Sequence, residues 1–334
     1  MRLPALRPRA RILFITNTRI GDAVLSTGLL GLLVDTYPTA RITVVVGYLA
    51  CSLFDAAPRV ERVVALRKQQ YNRHWLGLYA SLFRSWDLIM DLRGTATAWL
   101  LPTRYRRVLS RSDPARSRVV ELGHLVNADP PPAPRVWISE RDRQAAARLV
   151  PPDLAFLAVA PGASSPEKCW PAERFAELIN RLTERNATGS TLAVTLLGAA
   201  DERWLVEAVM QQLIERPGVP RPLIVLGEAR LTVVAAILER ARLYIGNDSG
   251  LMHLAAASGA PTIGLFGPTS ATRYRPWGER VLVVQPEHPH AVGTGFAPPR
   301  PITDLTVERV VQRVAWFAKV HGLAVDIDSD CRVA

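Results

Sequence analysis

Apolar and polar positions along the chain follow two alternating periods. Short runs of strand length, RILFIT (11–16), ARITVVVG (40–47), VERVVAL (60–66) and DLIMDLRG (87–94), are separated by segments with helical spacing, such as AVLSTGLLGLLVDTYP (23–38). In YNRHWLGLYASLFRSW (71–86), Trp75, Leu78, Tyr79, Leu82, Phe83 and Trp86 fall on one helical face, which predicts a helix packed on a sheet rather than inserted into a membrane interface. YRRVLS (105–110) predicts a further short strand. Pro130, Pro131, Pro132 and Pro134, then Pro151 and Pro152, bracket a segment with the composition of an interdomain connection. Beyond it the alternation restarts: strand then loop 154–170, helix 171–186, strand 191–198, helix 201–214, strand 222–227, helix 232–240, and later strand 281–286 and a closing amphipathic helix 305–320. Alternating strands and helices in both halves predict two parallel α/β sheets, expected to face each other across a cleft.

The most informative stretch is RLYIGNDSGLMHLAAASGAPTIGLFGPTS (242–270). It predicts a strand, a tight turn at Asn247–Gly250, a small-residue helix and a second buried strand at Thr262–Phe266. Asp248 and Ser249 are favoured N-cap types, and a helix start of this kind offers backbone N–H groups to an anion such as phosphate. His253 is expected one turn into the helix, within reach of a ligand. The first strand is likewise followed by a glycine-bearing turn, NTRIGD (17–22), and a helix.

Length and composition narrow the class. A chain of 334 residues, 49% hydrophobic, suits two domains, and no apolar run approaches the ~20 residues that span a bilayer. MRLPALRPRARILFITN is expected to be a basic extension before the first strand, not a signal peptide. Cys51, Cys169 and Cys331 have no paired spacing, which argues against a disulfide framework or zinc site and favours a reducing cytoplasm. A net charge of +11 calls for anionic company: nucleic acid, a phosphorylated small molecule or an acidic membrane. Arg104, Arg106, Arg107, Arg111, Arg116 and Arg118 crowd residues 102–118, either as a solvated basic loop or as an anion site. No nucleic-acid signature accompanies them.

Three segments together resemble one family. RILFITNTRIGDAVLSTGLLGLLVDTYPTARITVVVG, APGASSPEKCWPAERFAELINRL and GNDSGLMHLAAASGAPTIGLFGPTSATRYRPWG are similar, in order and spacing, to the bacterial ADP-heptose:lipopolysaccharide heptosyltransferases, glycosyltransferase family nine. The resemblance implies a GT-B fold of two Rossmann-like domains. Residues 1–150 would form the acceptor domain, with a linker at about 128–153; 154–304 the nucleotide-sugar domain; 305–322 a helix crossing back to the first domain; and 323–334 a disordered tail. It further implies an inverting transfer of heptose, or of another sugar, from an ADP-sugar to the lipopolysaccharide inner core. The enzyme would need no cofactor or metal, and would be monomeric and peripheral to the cytoplasmic face of the inner membrane. Its partners would be the donor and the anionic core acceptor, with no nucleic acid. A related transferase using another nucleotide-hexose, and a non-catalytic nucleotide-sugar-binding protein, are the alternatives.

By motif position, Asp22 matches the family's general base and Lys168 the lysine at the donor phosphates. Ser164, Ser165, Asp201, Asp248, Ser249, Gly250 and His253 complete the implied donor site, and Gly21, Asp91 and Arg93 the acceptor side. The chemistry is coherent, since glycosyl transfer needs charge stabilised on a departing diphosphate and a proton taken from a hydroxyl. Each residue also has a structural reading: Asp22 as a helix cap, Lys168 as a surface lysine beside Trp170, His253 as a helix histidine. A hydrolytic triad of Ser249, His253 and Asp248 is rejected, because the three crowd one helix start. Asp326, Asp328 and Asp330 alternate in the tail, where disorder is expected rather than a metal site. Two departures stand out: Gly28 replaces a usual proline, and EHPHAVGTGFAPPRPITD (287–304) replaces a cysteine-rich loop.

Overall fold

A computed structural model describes residues 3–67, 74–109, 113–184, 192–216, 219–227, 229–287 and 300–323. The aspartates of the tail, Cys331, Arg111, and most of the loop 287–304 lie outside these residues, as does the start of the helix expected at 71–86. The chain divides into two compact units, Met1–Ser139 and Glu140–Ala334.

The first unit is built on five parallel strands, β1 (Arg11–Ile15), β2 (Arg41–Gly47), β3 (Val60–Leu66), β4 (Trp86–Asp91) and β5 (Thr103–Val108), in the order β3-β2-β1-β4-β5. The inner strands are apolar runs buried on both faces, whereas the edge strands β3 and β5 are partly exposed. Helix α1 (Ile20–Thr36) follows β1; α2 (Ser52–Asp55), α3 (His74–Leu82), α4 (Ala96–Leu100) and α5 (Arg118–His124) follow in chain order. The expectation that α1 starts at residue 23 is corrected by three residues. Arg19 is the N-cap, so Gly21 and Asp22 belong to the first helical turn.

The proline-rich segment also departs from expectation. Rather than a free linker, residues 132–135 lie against α1: the Arg135 N–H donates to Thr27 Oγ1 at 3.0 Å and its guanidinium pairs with Asp35 at 2.9 Å. Gly28 makes this approach possible, since a β-carbon there would stand 2.2 Å from the Pro132 carbonyl oxygen. The rest of the expected linker is helix α6 (Glu140–Leu149), which packs on α9 (Leu231–Leu238) and is tied to it by an Arg143–Glu239 ion pair at 3.0 Å. Residues 140–149 therefore belong to the second unit and not to the first. The S-x-x-D spacing of Ser139 and Asp142 was the start signal.

The second unit carries six parallel strands, β6 (Phe156–Ala160), β7 (Ala193–Gly198), β8 (Leu223–Leu226), β9 (Leu243–Asn247), β10 (Thr262–Leu265) and β11 (Val281–Val284), in the order β11-β10-β9-β6-β7-β8. Besides α6 and α9, it holds α7 (Ala172–Leu182), α8 (Arg203–Met210), α10 (Gly250–Ala257), α11 (Ala271–Tyr274) and α12 (Val307–His321). The resemblance implies that α12 returns onto the first domain; within the second unit it packs on α7 and β11. There Val310, Val314 and Phe317 join Phe175, Ile179 and Val284 in one core. Thr306 caps its start by accepting from the Arg309 N–H at 3.2 Å, and Gly322, with φ +60°, ends it.

Each strand order reverses once. In the first unit β1 leads to β2 on one side while β4 leads to β5 on the other; in the second, β9 and β6 are the neighbours whose connections diverge. Open parallel sheets bind ligands outside the carboxyl ends of the strands at such points.

Candidate active site

At the switch point of the second sheet, the loop after β6 meets the turn after β9. Asn247, fully buried at the end of β9, donates from Nδ2 to the Pro161 carbonyl at 2.7 Å and accepts the Trp170 N–H at 3.2 Å. Trp170 is itself fully buried and donates from Nε1 to the Leu305 carbonyl at 2.8 Å. This brace holds the short 3-10 turn Pro166–Lys168 so that Lys168 Nζ lies 2.9 Å from Asp248 Oδ2. The lysine side chain keeps 21% exposure and the aspartate 7%.

The helix start differs in detail from the expectation. Ser249 is the N-cap of α10, but its hydroxyl makes no capping bond. The Asp248 N–H is spent on the Leu265 carbonyl at 3.0 Å, and the donors without an intrahelical acceptor are those of Ser249, Gly250, Leu251 and Met252. Buried beneath the turn, the Tyr244 phenol lies beside Ser249, and burial raises its pKa. His253 is 4% exposed, so it offers almost no surface to a ligand. Ser164 is exposed and Ser165 half-buried on the Lys168 loop.

The acidic residue drawn toward this point is Glu202 and not the expected Asp201, which is exposed on the 3-10 turn after β7. Glu202 accepts the Ala199 N–H at 2.8 Å and covers Gly162, where a β-carbon would stand 2.1 Å from its carboxyl carbon. Burial raises its pKa, the Ala199 N–H lowers it, and Asp201 adds to the rise. The neighbouring glycine in A-P-G-A was the available signal.

At the switch point of the first sheet, Asp22 occupies the first turn of α1, 20% exposed, with its Oδ1 3.8 Å from Nε of Arg118. Arg118, read as part of either a solvated basic loop or an anion site, is buried: it is anchored by Glu121 at 2.5 Å and reaches the Leu92 carbonyl at 3.4 Å. The helix α5 that places it was not foreseen, because the segment before it is broken by Pro and Ser. Asp91 corrects the expected acceptor side. It is fully buried, and both oxygens serve the loop after β4, accepting from the Arg93 N–H at 2.8 Å, the Thr95 N–H at 2.6 Å and Thr95 Oγ1 at 2.8 Å. Arg93 is half-buried; burial lowers its pKa and Asp91 opposes that shift. Gly21 lies beside Asp22 in the first helical turn.

The family model of glycosyltransferase family 9 (heptosyltransferase) matches residues 103–293, more than half of the chain. The chain belongs to glycosyltransferase family 9. As a family 9 glycosyltransferase it is 24% identical to lipopolysaccharide heptosyltransferase 2 of Escherichia coli K12, over 91% of this chain and 97% of that protein. Against lipopolysaccharide heptosyltransferase 3 of the same strain it is 30% identical over 127 residues, which span 35% of that protein. Among solved structures, a family 9 glycosyltransferase of Veillonella parvula aligns with a TM-score of 0.74 at 20% identity, covering 95% of this chain and 99% of that one. The E. coli ADP-heptose heptosyltransferase II aligns at 0.72 and 20%, covering 93% and 99%. These likenesses establish the GT-B fold with its two parallel α/β units. Among the described residues, no helix is long and apolar enough to cross a membrane. Cys51 and Cys169 are free thiols.

Proposed function

We propose that this glycosyltransferase moves a heptose from ADP-heptose to the inner core of lipopolysaccharide. Asp22 would serve as general base, and the Lys168 turn with the α10 start as the diphosphate site. The observation that carries the reading is the Lys168–Asp248 pair at 2.9 Å beside the N–H groups of Gly250, Leu251 and Met252, in a chain of the heptosyltransferase family. An ammonium has three donors, so Lys168 can keep Asp248 and still reach a phosphate oxygen. The helix start adds N–H groups at its positive end. Together they stabilise the charge that grows on the diphosphate as the C–O bond to the sugar breaks and the leaving group takes the electron pair.

On the acceptor side, Asp22 takes the proton of the attacking hydroxyl as its oxygen bonds the anomeric carbon. A single displacement of this kind inverts that centre. Charge stabilisation by a lysine and a helix start lets the transfer proceed without a divalent ion, so turnover should survive chelation by EDTA. A lipid-borne core acceptor places the enzyme at a membrane surface. The decisive test is a donor screen with the purified chain and a lipid A–Kdo acceptor. Heptose transfer from ADP-heptose supports the proposal, and nucleotide release from hexose donors alone overturns its heptose part.

A further inference from the structure

The first unit carries an apolar and basic surface that neither turn uses. Helices α3 and α4 cover one face of its sheet, since Leu78, Leu82, Ala98 and Leu101 share a buried cluster with Leu13, Ile15, Val45 and Ile89. From this layer three large side chains project into solvent: Phe83 at 64% exposure, Trp99 at 60% and Leu100 at 66%. The last two are held there by construction. Arg106 donates from Nε to the Ala98 carbonyl at 2.7 Å and from Nη2 to that of Leu101 at 3.1 Å, while its guanidinium lies 5.1 Å from the Trp99 ring. Side chains alternate along β5, so Arg104 shares the face of Arg106, and it is exposed. Residues 74–86 and 92–109 contain Arg84, Arg93, Arg104, Arg106 and Arg107 and no Asp or Glu, and of these Arg84 pairs with Glu61 of β3 at 3.5 Å.

We infer that Trp99, Leu100 and Phe83, with Arg104 beside them, dock the protein on an anionic phospholipid surface. This deepens the membrane-surface part of the proposed function. A Trp and a Leu projecting side by side are suited to the interface between acyl chains and headgroups, where aromatic rings are enriched. Each Arg near an anionic surface adds about a fivefold gain in partition. Neither signal is strong alone, and their combination is what reversible membrane attachment requires. Pairing with a second copy is disfavoured, because an isologous contact would bring two copies of the same arginine-bearing patch together, like charge against like.

The test is cosedimentation of the full chain with vesicles of phosphatidylcholine alone or with about 30 mol % phosphatidylglycerol, without acceptor. The expected result is preferential binding to the anionic vesicles that weakens with salt, lowered about tenfold or more by Trp99→Ala/Leu100→Ala and severalfold by Arg104→Glu. Trp204→Ala, at a residue 68% exposed in the second unit, should bind as the parent does. Absent or charge-independent binding would overturn the inference, as would an equal loss in Trp204→Ala. So would a dimer that Trp99→Ala/Leu100→Ala converts to monomer with vesicle binding unchanged. Heptose transfer to a water-soluble, lipid-free core fragment separates the two proposals. Transfer intact without vesicle binding sinks only the docking surface, and vesicle binding intact without transfer sinks only the proposed reaction.

Discussion

The two sheets present the same local device, a strand, a short turn and a helix start bearing an aspartate, yet they use it differently. After β9, Asp248 is 7% exposed and in direct contact with Lys168 at 2.9 Å. After β1, Asp22 is 20% exposed and stands 3.8 Å from an arginine that Glu121 already holds at 2.5 Å. A carboxylate tied to a lysine orients that lysine and moderates its charge. One beside a pre-engaged arginine keeps its oxygens available to a hydroxyl. On the proposed reading, partner and burial, not residue type, separate the aspartate that holds a lysine from the one assigned to take a proton.

The sharpest way to break the contrast is Asp22→Asn, which preserves shape and removes basicity. Turnover should fall by about 10²–10⁴-fold with donor binding and melting temperature close to the parent values, as steady-state kinetics and calorimetry would show. Turnover within a few-fold of the parent would return Asp22 to a structural role, and Asp91 could not replace it, because its oxygens are spent on the β4–α4 loop. Next in size, Arg118→Ala leaves Glu121 buried without its cation and should cost about 3–5 kcal/mol in denaturant unfolding. Glu121→Gln combined with it should recover part of that loss, and strictly additive effects would mean that the pair is not coupled.

Lys168→Ala should lower turnover by about 10²-fold and weaken donor binding in calorimetric titration, since a charge facing the diphosphate is removed. Unchanged donor affinity would leave the helix start as the sole phosphate site. The smallest effect concerns Glu202. Its pKa is raised in the folded state, so the folded protein holds this proton more tightly than the unfolded chain does. Its contribution to stability therefore declines as pH rises through the carboxylate range to the raised value. Glu202→Gln should flatten that part of the stability–pH curve, and an unaltered slope would show that burial at Gly162 does not perturb the carboxyl.

Much of this molecule is legible in local pattern. The alternation of runs such as RILFIT and helical segments foretells both parallel sheets, and the NDSGLMHLAAA stretch foretells the turn that Lys168 joins. Where pattern misled, the cause lies in contacts distant along the chain. Arg118 reads as one more charge in a basic loop until α5 buries it against Glu121 and the Leu92 carbonyl. Pro130–Pro134 reads as a linker until Gly28 lets that segment settle on α1. Asp201 and Glu202 are indistinguishable as neighbours in sequence, and only the approach of Gly162 selects the second.

The sequence by itself determined the fold class, the family resemblance and the short set of charged residues able to do chemistry, because periodicity and motif spacing are local properties of a chain. The tertiary structure decided which of these residues stand at the switch points, which are paired and which are buried. Strand order is not written in the period of any strand, and Lys168 and Asp248, 80 residues apart, become partners only when β6 is laid beside β9.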